Sequence, residues 1–201
     1  PTQVLVSHLP FLFLEKPTDA VVIGLASGIT AGAVTLHREL ESIEIVELEP
    51  AIVRASRFFD DFNHRPLDDE RVRLVLNDGR NHVLLAPEKK WDVIVSEPSN
   101  PWITGVSNLF TKEFWEMGST KLKPGGVWSQ WVQLYGMAPD DLRSLLATFG
   151  SVFEHVRIFA TIEDSDLVIL GSNEPLELEI EKACLLYTSD AADDRTGGGG
   201  G

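Results

Sequence analysis

The segment AVVIGLASGITAG, Ala20 to Gly32, decides the fold. It begins as a run of apolar and β-branched residues, typical of a strand buried on both faces. The run leads into a turn where Gly24 and Gly28 allow close backbone approach, and a helix is predicted to follow directly. A strand, a glycine turn and a helix in this order open a doubly wound α/β sheet, and the first amides of the helix favour a polar ligand.

The same alternation of strands and helices continues along the chain. Further strands are predicted at residues 43–49, 72–76, 91–97 and 126–135, and helices at residues 28–38, 50–58, 79–85, 108–121 and 139–149. The segment KPGG, residues 123–126, predicts a stop and a turn before the fifth strand. Two later runs, VRIFAT and DLVILGS, predict a closing hairpin. We therefore expect a mostly parallel, doubly wound α/β sheet with a C-terminal antiparallel hairpin.

Composition and charge narrow the classes of function and of partner that the chain can have. The chain has 201 residues, of which 43% are hydrophobic, and a formal net charge of -14. One domain with a substantial core is expected, and the acidity argues against a nucleic-acid partner while fitting a cationic or neutral small molecule. The single cysteine, Cys184, indicates a reducing compartment, so we expect a cytoplasmic protein.

Two further kinds of site are not indicated by the sequence. The five histidines lack metal-binding spacing, so no metal is expected and we interpret them as surface or packing residues. The apolar stretch VLVSHLPFLFL, residues 4–14, is interrupted by polar residues and proline and is shorter than a membrane span.

The last residues, 184–201, change composition abruptly. Codons for Cys184 to Asp193 resemble a transposase adapter used in sequencing libraries, and the glycine run resembles a machine-generated G tract. We therefore expect residues 1–183 to be the domain and the tail to be non-biological. The alternative is a flexible acidic tail with a glycine linker.

Two acids after strands indicate a nucleoside site. Glu47, near the end of the second strand, can accept hydrogen bonds from both hydroxyls of a ribose. Asp78, in NDGR after the third strand, can accept from the exocyclic amine of adenine. The alternatives are a solvated carboxylate for Glu47 and a helix N-cap for Asp78. These features do not separate a dinucleotide from an adenosyl sulfonium compound.

The segment SEPSNPW, Ser96 to Trp102, ends the fourth strand in a stiff loop with two prolines. Glu97 can take a proton from an ammonium group, and the amide of Asn100 can orient an amine. Trp102 can form an apolar wall or hold a cation over its ring. Together these residues suggest transfer to nitrogen. The alternative is a rigid turn in which Asn100 is a local cap and Trp102 a core residue.

The order of these motifs resembles the spermidine synthase (polyamine aminopropyltransferase) family, especially its bacterial members, which are often fused to membrane segments. The resemblance extends from His8 to Ser172 and includes VVIGLASGITAG, VELEPAIV, RVRLVLNDGR, WDVIVSEPSNPW, VSNLFTKEFW and LKPGGVWSQW. It implies a class I methyltransferase-like Rossmann fold. The small N-terminal β domain that usually precedes this fold in the family is absent from the sequence.

The resemblance also implies roles for individual residues. The turn around Gly24 and Gly28 would hold the sulfonium tail of decarboxylated S-adenosylmethionine, Glu47 its ribose and Asp78 its adenine. Glu97 would occupy the place of the catalytic aspartate of the family. In that chemistry a deprotonated amine of putrescine attacks the aminopropyl carbon and expels methylthioadenosine.

The sequence departs from the family pattern at three positions. Ser27, in the turn that would bind the co-substrate, and Asn100 each replace an acid, and Glu97 is one methylene longer than aspartate. An ammonium group left without a carboxylate partner is costly to bury, so tight putrescine binding does not follow from the resemblance.

Three functions therefore stay open. The first is an aminopropyltransferase-like enzyme with a small-molecule amine as partner. The second is an S-adenosylmethionine-dependent methyltransferase, since Ser-Asn-Pro-Trp is loosely similar to the Asn-Pro-Pro-Tyr motif of amino-methylating enzymes. The third is a nucleoside-binding domain without catalysis. A homodimer is expected from the resemblance, with membrane contact only through segments outside this sequence.

Overall fold

The strands and helices alternate as predicted. A computed structural model describes residues 2–98, 103, 105–162 and 165–178. The strands are β1 (Asp19–Ile23), β2 (Ser42–Glu47), β3 (Val72–Leu76), β4 (Trp91–Ser96), β5 (Leu122–Gln133), β6 (His155–Ile162) and β7 (Asp166–Ser172). The helices are α1 (Thr2–His8), α2 (Ile29–Thr35), α3 (Pro50–Ser56), α4 (Gly79–Leu85), α5 (Lys112–Ser119) and α6 (Pro139–Gly150).

Within the described residues the strands form one sheet in the order β3-β2-β1-β4-β5-β7-β6. Neighbouring strands among the first five are parallel, and β7 is antiparallel to both β5 and β6. The predicted doubly wound sheet with a closing antiparallel hairpin is confirmed. The carboxyl ends of β1 to β4 meet at one edge of the sheet, where such folds bind their ligands.

Each face of the sheet is covered by its own helices. Val93 and Val95 of β4 belong to the core cluster that contains residues of α1 and α2. Ile94, between them, belongs to the opposite cluster, together with residues of α4, α5 and α6. Because residues alternate between the two faces of a strand, this separation identifies the face toward which each strand residue projects.

Helix starts follow from local sequence. Glu49 caps α3 by accepting a hydrogen bond from the Ala51 amide at 2.8 Å, with Pro50 at the first helical position. Thr111 caps α5 in the same way through the Phe114 amide. These caps begin both helices directly after irregular segments.

The structure differs from the sequence-based expectations at three places. The segment at residues 123–126 lies inside β5, because Trp91 pairs with Leu122 while Val93 pairs with Val127, which leaves these residues as a bulge. Helix α2 ends at Thr35 rather than at residue 38. The chain start, for which no element was predicted, forms α1 and a 3-10 turn over Leu9–Phe13. The described helices include none that is long and apolar enough to cross a membrane.

Candidate active site

A cleft of about 400 Å³ lies at the carboxyl ends of the parallel strands. Four residues predicted for the site line it, namely Gly24, Glu47, Asp78 and Glu97. They follow or end β1, β2, β3 and β4, so the sheet brings together residues that are far apart in the sequence. This position and size suit a small-molecule ligand.

Gly24 joins the ends of two neighbouring strands. Its backbone has a φ of +95°, and its amide donates a hydrogen bond to the carbonyl of Val46 at 2.9 Å. A Cβ atom at this position would lie 3.0 Å from the carbonyl oxygen of Glu97. Glycine is therefore required both by the backbone conformation and by the close approach of the loop after β4.

The carboxylate of Glu47 is held by backbone amides. Its Oε2 accepts a hydrogen bond from the Leu25 amide at 3.0 Å, and its Oε1 accepts one from the Glu49 amide at 2.9 Å. Each oxygen keeps capacity for a further donor, since an ionised carboxylate offers about four acceptor sites. The side chain is fixed at the wall of the cleft, and its contact with a ribose stays a prediction.

Asp78 serves as the N-cap of α4. Its Oδ1 accepts a hydrogen bond from the Asn81 amide at 2.8 Å, so the alternative role predicted for this residue is confirmed. Asp78 also lines the cleft, and its second carboxylate oxygen carries no bond to the capped amide. A contact between Asp78 and adenine stays a prediction, and the capping of α4 is compatible with it.

Arg80 ties α4 to the segment that closes the cleft. Its Nη1 donates to the carbonyl of Asn108 at 2.8 Å and lies 3.2 Å from the hydroxyl of Thr111. Asn108 itself lines the cleft. The arginine therefore fixes the distance between the start of α4 and the loop before α5.

Gly28 and Ser27 do not line the cleft. Gly28 has a φ of +81°, and a Cβ atom there would lie 2.8 Å from the side-chain nitrogen of Asn63. Asn63 is buried and donates to the carbonyl of Ser27 at 2.9 Å. Gly28 therefore has a packing role at the start of α2, and a direct role in ligand binding stays a prediction. The Ser27 hydroxyl accepts a long hydrogen bond of 3.5 Å from Gln3.

Glu97 lies at the cleft wall directly after β4. Its carboxylate accepts a hydrogen bond from the hydroxyl of Thr30, which is buried in α2. Burial raises the pKa of the Glu97 carboxyl to about 7, against the lowering effect of side-chain hydrogen bonds from Thr30 and Gln3. A carboxyl group with a pKa near 7 is suited to exchange protons with a bound amine at neutral pH.

Gln3 and Thr30 were not predicted as site residues. Gln3 belongs to α1, and its carbonyl oxygen lies 3.3 Å from the hydroxyl of Thr30. Gln3 was missed because no helix was predicted before β1, and Thr30 lies in the helix predicted after β1 but was assigned no role. Asn100 and Trp102 lie outside the described residues, and their roles stay predictions.

The histidines are surface or packing residues as interpreted, since His64 is exposed and His37 is buried, although His8 and His37 form a pair that spacing did not indicate. Nδ1 of His8 lies 2.8 Å from Nε2 of His37, which stacks on the ring of Phe11 at 3.5 Å. Over the part of the chain that the structure describes, no group of three or more His, Cys, Asp or Glu residues is arranged to hold a metal ion.

The chain matches one protein-family model and several known proteins. The model of the spermine/spermidine synthase domain matches residues 2–163. A polyamine aminopropyltransferase of Escherichia fergusonii is 35% identical over 124 residues, which are 61% of this chain and 42% of the relative. A putrescine N-methyltransferase of Nicotiana attenuata is 29% identical over 154 residues, or 77% of this chain and 41% of the relative.

A solved structure has the same fold. It is a spermidine synthase in complex with the transition-state analogue AdoDATO, with a TM-score of 0.79 and 20% sequence identity. The match covers 88% of this chain and 61% of the solved chain. The class I methyltransferase-like fold is thereby confirmed, while the chain spans about two fifths of the length of the curated relatives.

Proposed function

The chain belongs to the spermine/spermidine synthase family, and we propose that it transfers an aminopropyl group from decarboxylated S-adenosylmethionine to a small-molecule amine. One observation carries the proposal. The Glu97 carboxyl, with a pKa of about 7, lies at the wall of a cleft that Glu47 and Asp78 also line. The reaction needs a base at its centre and, on one side, two hydrogen-bond acceptors suited to a nucleoside. These three residues are suited to those roles.

The cleft residues fit an adenosyl co-substrate. Glu47 offers carboxylate oxygens already oriented by two amides, and Asp78 offers the oxygen that does not cap α4. When bound, the co-substrate supplies a carbon made electrophilic by the neighbouring sulfonium. Gly24 lines the cleft and presents no side chain to the tail of the bound co-substrate.

Glu97 acts as the base in the proposed reaction. Its carboxylate takes a proton from the ammonium form of the acceptor, which frees the nitrogen lone pair. The nitrogen then bonds to the aminopropyl carbon while the carbon–sulfur bond breaks, and methylthioadenosine leaves with the electron pair. The proton on Glu97 passes to solvent. Positioning of the two reactants supplies much of the rate.

Methyl transfer is the second candidate. The observation that favours it is the similarity to plant proteins named putrescine N-methyltransferase, which extends over 77% of this chain. The same base and nucleoside site serve this reaction, because the two donors differ in the carbon that the amine attacks. In this case S-adenosylmethionine is the donor and S-adenosylhomocysteine the product.

One assay separates the candidates. The chain is incubated with each donor and a panel of amines, and methylthioadenosine and S-adenosylhomocysteine are quantified. We expect methylthioadenosine that depends on the decarboxylated donor and falls by about 10²- to 10⁴-fold in Glu97→Gln. The control Glu154→Gln changes an exposed acid at the opposite end of the sheet and is expected to keep full activity.

The remaining outcomes decide against the proposal. S-adenosylhomocysteine formed from S-adenosylmethionine alone would favour methyl transfer. Nucleoside binding without either product, both in this chain and in the product of the complete gene, would favour a binding domain without catalysis. A cytoplasmic location and a homodimer stay parts of the proposal, to be tested by fractionation and by sedimentation.

A further inference from the structure

The peptide unit that precedes Glu97 is held from both neighbouring strands. In the sheet, β4 lies between β1 and β5. The amide of Glu97 donates a hydrogen bond to the carbonyl of Ile23 in β1 at 3.2 Å. The carbonyl of the same peptide unit belongs to Ser96, and it accepts a hydrogen bond from Nε2 of Gln130 in β5 at 3.3 Å. Because a peptide unit is planar, these two bonds fix the direction of the chain where the Glu97 side chain begins.

Gln130 lies on the face of the sheet opposite to Glu97. Trp128 and Val132, two positions to either side of it in β5, belong to the core cluster that contains residues of α5 and α6. Val95, two positions before Glu97, belongs to the other cluster. Since side chains alternate between the faces of a strand, Gln130 points away from the cleft, and it is not among the residues that line it. Its influence on Glu97 passes through the peptide unit.

The amide group of Gln130 makes as many hydrogen bonds as an amide can. Its Oε1 accepts from the indole nitrogens of Trp115 at 3.4 Å and Trp128 at 3.3 Å. Its Nε2 donates to the carbonyls of Ser96 at 3.3 Å and Trp131 at 3.1 Å. An indole nitrogen only donates and a carbonyl only accepts, so the site needs an acceptor at one end and a donor at the other. Glutamine supplies both.

Packing alone does not require this network. Gln130, Trp115 and Trp128 are fully buried, and a buried amide is costly unless it is hydrogen-bonded. Methionine at position 130 and phenylalanine in place of the two tryptophans would fill similar space without any polar group. What such an apolar set lacks is the donor to the carbonyl of Ser96.

Resting on the transfer reaction proposed above, we propose that Gln130 is a positioning residue for the base. It fixes the peptide unit between Ser96 and Glu97, and thereby the direction in which the Glu97 carboxyl enters the cleft. A displacement of about 1 Å at a reacting group can lower a rate about 10²-fold, so loss of this bond affects turnover. Gln130 touches neither reactant and takes no part in the proton transfer.

Two multiple variants separate positioning from stability. Trp115→Phe/Trp128→Phe is the control, which keeps the bond from Gln130 to Ser96 but leaves the buried Oε1 without its donors. The triple variant adds Gln130→Met, so it loses the bond to Ser96 and leaves neither an indole nitrogen nor a side-chain amide unpaired. Removal of all partners is less costly than removal of one, so the triple variant is expected to be at least as stable as the control. It also serves where Gln130→Met alone folds poorly.

The test measures kcat and KM with the decarboxylated donor and the amine that the wild-type chain uses best, together with urea denaturation. We expect kcat of the triple variant to be about 10- to 100-fold below that of the control, with KM within about twofold. Crystal structures of both variants with methylthioadenosine give a second readout. The Glu97 carboxylate should keep its hydrogen bond from Thr30 in the control and lose it in the triple variant.

Two results would overturn the inference. One is equal kcat in the two variants with Glu97 in the same place, and the other is a kcat that falls in step with stability. The proposed function is judged separately, by whether the wild-type chain forms either nucleoside product. If it forms neither, transfer is refuted, and the position of Glu97 in the two crystal structures still decides whether Gln130 positions it.

Discussion

The hydroxyl of Thr30 donates a hydrogen bond to the carboxylate of Glu97 and lies 3.3 Å from the carbonyl oxygen of Gln3. The hydroxyl proton of Thr30 thus has two acceptors, the Glu97 carboxylate and the Gln3 carbonyl oxygen. While Glu97 is ionised, the proton is held best by the carboxylate. Once Glu97 is protonated, its own O–H can donate to Thr30, and the Thr30 hydroxyl can turn to Gln3. The Glu97 carboxyl keeps a hydrogen bond to Thr30 in both of its protonation states. Thr30 is therefore a positioning residue for the base.

Thr30→Val is expected to move the acidic limb of the pH–rate profile upward. The hydrogen bond from Thr30 lowers the pKa of Glu97, so its loss raises that pKa above about 7. A base works in its deprotonated form, and less of it is then available at pH 7. We expect slower turnover at pH 7 and recovery at pH 9, measured as kcat across this range.

Thr30→Ser is the matched control, since it keeps the hydroxyl and loses one methyl group. Its profile is expected to coincide with that of the wild type. A valine variant with the wild-type profile and a uniformly lower kcat would show that Thr30 acts through packing alone.

Glu97→Gln is expected to stabilise the protein at alkaline pH. The pKa of Glu97 is raised from 4.5 to about 7 in the folded state. Its contribution to stability is therefore complete below pH 4.5 and is lost as pH rises through about 7. Glutamine carries no charge to bury, so we expect a gain of about 1–3 kcal/mol in the free energy of unfolding at pH 8.

The check is urea denaturation of both proteins at pH 4.5 and at pH 8. At pH 4.5 we expect the two proteins to have nearly the same free energy of unfolding. Equal stabilisation at both pH values would point to a change in packing rather than to relief of a buried charge. Such stabilisation at the cost of activity is common for residues of an active site.

Most of the sheet and the acidic residues of the cleft were predictable from local sequence. Glu47, Asp78 and Glu97 each end or closely follow an apolar run, and parallel strands place their carboxyl ends at one edge. Once the runs were recognised as strands, the proximity of these acids followed. No long-range information was needed.

Contacts made by the first helix were not predictable. Polar residues interrupt its apolar pattern, and its bonds join positions distant in the chain. The hydroxyl of Thr2 reaches Asp166 across 164 positions, and Thr30 approaches the carbonyl of Gln3 across 27. Asn63, which packs against Gly28, lies in an irregular segment. Such pairings depend on tertiary packing, which periodicity does not encode.

Glu44→Gln is expected to weaken the fold at neutral pH. Burial opposes ionisation of Glu44, but hydrogen bonds from His82, Lys90 and Arg73 lower its pKa to about 2. The stabilisation is thus present above pH 4.5 and is lost as pH falls through about 2. We expect a loss of about 2–3 kcal/mol at pH 7, since the carboxylate is almost fully buried.

Chemical denaturation at pH 7 and at pH 2.5 tests this expectation. The difference in the free energy of unfolding between the wild type and the variant should become much smaller at pH 2.5. Glu41→Gln, at an exposed acid just before β2, serves as the control and should stay within about 0.5 kcal/mol of wild type. A loss that is independent of pH would refute the electrostatic explanation.

Two glycines in helices predict opposite effects of the same substitution. A Cβ atom at Gly118 of α5 would lie 2.1 Å from the buried ring of Trp128, whereas one at Gly150 of α6 would meet nothing within 4 Å. Alanine at position 118 must displace the ring, so we expect a loss of about 1–3 kcal/mol. Alanine at position 150 lowers the entropy of the unfolded chain and is expected to gain about 0.5 kcal/mol. Thermal unfolding of the two variants tests both signs, and a neutral Gly118→Ala would mean that Trp128 can move without cost.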